Sequence, residues 1–114
     1  DYVEYLRELG KVSEDVVFTG AVYGEDKARL YRDAYCFCLP STVEGLSLVM
    51  MEAASYKLPG IASDIEGNRE FLGDDAIYVR PENVDDLVEA FTYAVQNPEV
   101  LENLKIVKYQ KVVD

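Results

Sequence analysis

Apolar positions along this chain fall into short continuous runs separated by stretches with helical spacing, and the two kinds alternate from end to end. Tyr2 to Leu9 reads as the end of an amphipathic helix stopped at Gly10. Val16-Val17-Phe18-Thr19, largely β-branched and closed by Gly20, predicts a strand. Lys27 to Ala34 sets Ala28, Leu30, Tyr31 and Ala34 at helical spacing, and Tyr35 to Leu39 is a second, wholly apolar strand ended by Pro40-Ser41. From Leu46 to about Tyr56 the chain is apolar on most sides, which predicts a buried helix. After Pro59 comes a third strand, Gly60 to Ser63, then a polar loop and short helix over Asp64 to Leu72, then a short strand at Ile77-Tyr78-Val79. Asn83 is a good N-cap for a helix with Val84, Leu87, Val88, Phe91 and Val95 on one stripe. Asn97-Pro98 stops it and starts another through about Val107, with Lys105 to Asp114 as a frayed end and tail.

Short apolar strands alternating with helices indicate parallel strands buried on both faces. The expected fold is therefore α/β, an open, doubly wound, Rossmann-like parallel sheet forming a single domain over residues 1–114. Ligands of such sheets bind beyond the carboxyl ends of the strands. Here those ends are Gly20, Pro40-Ser41 and Ser63-Asp64, so chemistry is sought there.

Composition narrows the field. The chain has no His, so a Ser-His-Asp triad and His-ligated zinc are excluded within it. A net charge of −11 makes nucleic acid and anionic membrane surfaces poor partners. No apolar run approaches the roughly 18 residues of a membrane span. The opening Asp1-Tyr2-Val3-Glu4 has no initiator Met and no signal-peptide core, which suggests a fragment. Cys36 and Cys38 point to the same face of a strand and read as small core hydrophobes, with a reduced, intracellular setting as the default.

The informative stretch runs from Pro40-Ser41 through Glu44-Gly45-Leu46-Ser47 to Glu52-Ala53. A strand ends, a loop passes Glu44, and a helix begins near Gly45. The free amides of its first turn and its dipole make an anion site that needs no basic side chain. Gly45 allows close approach to the backbone, and Ser47 adds a hydroxyl. Glu44 and Glu52 bracket this site about 12 Å of helix rise apart, with Glu52 about 20° from Gly45 around the helix. Carboxylates at either end suit the donor hydroxyls of sugars. The plainer alternatives are a Glu52 ion pair with Arg29 or Arg32, and a loop or capping role for Glu44.

This segment resembles the donor-binding half of retaining, GT-B-fold glycosyltransferases of family 4, the glycosyl transferases group 1. The resemblance rests on Pro40-Ser41, Glu44-Gly45 and Glu52-Ala53, on Pro59 and Ile61-Ala62-Ser63-Asp64, and on Gly67-Asn68-Arg69-Glu70. Val17-Phe18-Thr19-Gly20 and the helix Lys27 to Ala34 match as well, so it covers about Val16 to Pro98. It implies the C-terminal domain of a GT-B enzyme, truncated at its N-terminus. By the resemblance Glu44 contacts the transferred sugar as the catalytic-site acid, the amides of Gly45, Leu46 and Ser47 hold the diphosphate, and Glu52 holds the ribose. Residues after Gly20 and around Ser41 flank the base or ribose, while Arg69 and Glu70 either share in the site or only cap a short helix.

The implied substrate is a nucleotide-diphospho-sugar such as a UDP- or GDP-sugar, with no metal and no cofactor. The implied acceptor, a glycan, lipid or small molecule, binds through an N-terminal domain the chain lacks. The implied location is cytoplasmic, or at the inner face of the membrane through missing regions. Three departures are visible. Lys57 stands where the family usually ends the buried helix on Gly, Glu66-Gly67 replaces Gly-Gly, and the family's upstream Gly-Arg and Lys are missing. If the left-handed turn is kept at Lys57, it costs about 1 kcal/mol. The fragment alone is then expected to be inactive. Two other readings stay open: a non-catalytic nucleotide-sugar-binding module or subunit needing a partner chain, and, remotely, a flavodoxin-like receiver or interaction domain. A receiver's set of acids and lysine does not follow Gly20 or Ser41.

Overall fold

The computed structural model describes residues 2–11, 14–42 and 48–104. It contains, in order, α1 (Tyr2–Gly10), α2 (Gly24–Asp33), β1 (Phe37–Leu39), α3 (Leu48–Ser55), β2 (Gly60–Ser63), α4 (Glu66–Leu72), β3 (Ala76–Val79) and α5 (Val84–Gln96). Residues 98–104 are also helical. The strands form one parallel sheet in the order β1-β2-β3, with Cys38 opposite Ile61 and Ile61 opposite Ile77.

Period-two alternation splits the strands between two cores. Ile61 and Val79 pack with Ala90, Ala94 and Leu101 on one face, joined by Cys36, Cys38 and Ile77. Ala62 packs with Met50 and Leu72 on the other, joined by Phe37, Leu39 and Tyr78. Both faces of the sheet are covered by helices, which makes the domain doubly wound as the alternation predicts. The two cysteines are free and half-buried within the first core, and burial raises the Cys38 thiol to about 11. They serve as small apolar side chains.

Two expectations need correction. Val16 to Thr19 forms no strand, although the segment is largely apolar. A β-rich run becomes a strand only against a hydrogen-bonding edge, and among the described residues the sheet ladder holds β1, β2 and β3 alone. Val17 is 76% exposed, while Phe18 lies against Gly10, where a Cβ would come within 2.5 Å of its ring.

The second correction concerns α5. Val84, Val88, Phe91 and Val95 are exposed, and the helix buries Ala90 and Ala94 instead. Of the expected stripe Leu87 packs against the core, while small residues let the helix sit close to the sheet and the other four bulky side chains face away. Tyr35 ties the packing by donating its hydroxyl hydrogen bond to the Ala94 carbonyl at 2.9 Å.

Helix ends follow local chemistry. The Asn83 side chain accepts from the Asp86 amide at 2.9 Å, the expected N-cap. Asp86 also receives the Arg80 amide at 2.9 Å and both ends of its guanidinium at 2.8 Å. That pairing lowers the Asp86 carboxyl to about 2. A carboxyl depressed in the fold stabilises it above its ordinary value of 3.8, and this contribution fades as pH falls towards 2. Replacing Asp86 by Asn is therefore expected to flatten the acid limb of a stability-versus-pH curve between about pH 4 and pH 2. An unchanged acid limb in urea titrations would contradict the assignment.

Candidate functional site

The end of α3 decides where Glu52 stands. The Leu58 amide bonds the Ala53 carbonyl at 3.2 Å and the Lys57 amide bonds that of Ala54 at 2.9 Å, a Schellman closure. Lys57 holds the left-handed conformation at φ 63°, and Leu58 is buried beside it. The turn usually made by Gly is thus kept with a lysine. Lys57→Gly is expected to raise stability by about 1 kcal/mol in chemical denaturation, by removing the Cβ conflict of that conformation.

With α3 closed in this way, Glu52 lies half-buried on a helix whose Met50, Ala53 and Ala54 enter the core. Its Oε2 accepts from Lys27 Nζ at 2.9 Å. Its partner is therefore Lys27, not Arg29 or Arg32. Around α2, residue 31 lies within about 40° of Lys27, whereas residues 29 and 32 point well away. Arg32 pairs with Glu25 on its own helix. One turn beyond the ion pair, Tyr31 stacks on Tyr56 with ring centroids 5.2 Å apart and planes 2° from parallel. Residues 27 and 31 of α2 thus meet 52 and 56 of the α3 region at two levels.

Gly20 takes φ 69°, a turn that suits Gly, and it lines a cavity of about 310 Å³ with Thr19, Val22, Lys27, Tyr31 and Phe37. Lys27 therefore links the surroundings of Gly20 to Glu52. Ser41 is half-buried just beyond the carboxyl end of β1. Glu44, Gly45, Leu46 and Ser47 lie outside the described residues, as do residues 105–114.

Arg69 has a structural partner set. It grips Asp64 through Nε at 2.7 Å and an Nη at 3.1 Å, and its guanidinium stands 3.9 Å from the Tyr78 ring centroid. The Arg69 contact holds the Asp64 carboxyl below its usual value. Behind them Asn68, buried, donates to the Ser63 carbonyl at 2.9 Å and fixes the turn at the end of β2. Glu70 and Glu66 are exposed on α4. Lys27 is the functional candidate that the sequence reading missed. Its only advance sign is the shared four-residue spacing of Lys27–Tyr31 and Glu52–Tyr56.

The same order of elements appears in known proteins. The family described as glycosyl transferases group 1 matches residues 1–97. This chain belongs to that family. Among relatives of established name, the O-antigen chain mannosyltransferase B of Escherichia coli is 33% identical over 75% of the chain and 22% of its own length. The MMP alpha-(1->4)-mannosyltransferase of Mycolicibacterium hassiacum is 32% identical over 87% of the chain and 25% of its own. The chain thus spans about a quarter of the length of the relatives it matches.

Among solved structures, the sucrose-phosphate synthase of Thermosynechococcus elongatus superposes with a TM-score of 0.83 at 25% identity, over 97% of this chain and 28% of that one. The C-terminal domain of a group 1 glycosyl transferase from Francisella tularensis gives 0.78 at 18% identity, over 98% and 59% respectively, and so bears on fold alone. The fold is that of a GT-B C-terminal domain. Among the described residues no helix is long and apolar enough to cross a membrane.

Proposed function

We propose that this group 1 glycosyltransferase chain is the donor-binding half of an enzyme that transfers a sugar from a nucleotide-diphospho-sugar with retention of anomeric configuration. The observation that carries the reading is the placement of Glu52, half-buried on the helix that follows β1 and pinned at 2.9 Å to Lys27 beside the Gly20 cavity. A fixed carboxylate there is an acceptor for paired ribose hydroxyls.

In this reading Glu44 faces the hydroxyls of the transferred sugar, and the amides of Gly45, Leu46 and Ser47 receive the diphosphate. As the glycosidic bond breaks, negative charge grows on the leaving diphosphate, and preorganised amides and the helix dipole stabilise it. Such donors carry no formal charge, which suits a chain of net charge −11. Gly20 and Ser41 flank the base or ribose. No metal or organic cofactor enters the proposal. The acceptor belongs to regions outside the chain, and the whole enzyme works on the cytoplasmic side, so the chain alone binds donor without turning it over.

The test is ligand-observed NMR with UDP, GDP and their sugars against the full chain. Saturable binding of at least one nucleoside diphosphate is expected. Absence of binding across the panel at millimolar concentration removes the proposal.

A further inference from the structure

Glu52 is joined to a neighbouring helix by an ion pair. Lys27 Nζ reaches its Oε2 at 2.9 Å, and one turn further the Tyr31–Tyr56 stack joins the same two segments. The backbone carbonyl of Glu52 accepts from Ser55 Oγ at 2.6 Å, and the side-chain carboxylate, about two-fifths exposed, takes Lys27 among the described residues. A glutamate has three rotatable side-chain bonds, and a ligand that must order them loses affinity in doing so. A carboxylate offers about four acceptor positions, so one ammonium leaves room for two hydroxyls.

We propose that Lys27 is a positioning residue, holding the Glu52 carboxylate in the orientation that receives the ribose hydroxyls of the donor. The proposal rests on the donor-binding reading above. Lys27 acts through Glu52 and not on the ligand. The Glu52 contact, through its hydrogen bond and then its charge, raises the Lys27 ammonium above its ordinary value, so Lys27 keeps its charge throughout the neutral range.

The measurement is calorimetric titration of the full chain with UDP or GDP and with the corresponding 2′,3′-dideoxy nucleoside diphosphate. Lys27→Ala is expected to weaken the ribose ligand roughly three- to fivefold, the scale of a half-exposed ion pair, and to leave the dideoxy ligand unchanged. Lys27→Arg should restore affinity to within about twofold, because it can still reach the carboxylate. In a Glu52→Gln background, Lys27→Ala should change little. Equal weakening of both ligands would overturn the proposal, since it would mean that Lys27 touches the phosphates itself. An unchanged ribose affinity overturns it too. A wild-type chain that binds neither ligand removes the donor reading and this proposal with it. If Lys27→Ala melts early, Lys27→Met keeps the apolar stem and provides the same comparison.

Discussion

Ile61→Ala is expected to lower the unfolding free energy by about 3 kcal/mol. Ile61 is fully buried at the middle of β2, the central strand, hydrogen-bonded between β1 and β3. Its side chain packs among Val79, Ala90, Ala94 and Leu101, so truncation leaves a cavity bounded by both a strand and two helical segments. Alanines already line the helix side, and they cannot extend to fill the gap. For a domain whose total stability is on the order of 5–15 kcal/mol, this loss is a large share. With a urea slope of about 2 kcal/mol/M it moves the midpoint down by about 1.5 M. Leu48→Ala, at a residue 75% exposed on α3, should stay within about 0.5 kcal/mol of the parent. Equal shifts for the two variants would show that the core is misplaced.

The second large effect concerns ligand affinity. Glu52→Ala is expected to weaken nucleoside diphosphate binding about 10- to 100-fold, because hydrogen bonds from two ribose hydroxyls to a carboxylate are lost together. Folding should be nearly untouched, since the Lys27–Glu52 pair is half-exposed and such pairs add little stability. Thermal melting and binding, measured on the same sample, separate the two. A variant with parental melting and parental affinity would take Glu52 out of the site. A small loss that appears equally with a dideoxyribose ligand would do the same.

Much of the fold was legible because the sheet enforces it. Gly60 to Ser63 reads as a continuous apolar strand because helices cover both of its faces, and Ile61 and Ala62 indeed serve opposite cores. Asn83 could be assigned as a cap because its side-chain oxygen acts on an amide three residues away. Local chemistry of this kind survives in the sequence.

What failed was non-local. Val16 to Thr19 has the composition of a strand, but pairing depends on an edge that no local pattern specifies. On α5 the hydrophobic stripe pointed to Val84, Leu87, Val88, Phe91 and Val95, whereas close packing kept Leu87 and otherwise selected Ala90 and Ala94. Size as well as hydrophobicity decided that face. Lys27 stayed hidden for a related reason. It lies 25 positions before Glu52, and the two meet only once α2 has docked beside α3. The left-handed turn at Lys57 ran the other way: the family pattern announced it, and the chain keeps it without the residue that makes it easy.

The central claim is that a nucleotide-diphospho-sugar sits beyond the carboxyl ends of the strands, against Glu52. Amide chemical-shift mapping of the labelled chain during titration with a UDP- or GDP-sugar tests it most directly. The predicted result is a saturable set of shifts in the loop around Gly20, in the segment from Ser41 into α3, and at Lys27. Shifts gathered instead on the exposed face of α5, or none at millimolar donor, would contradict it.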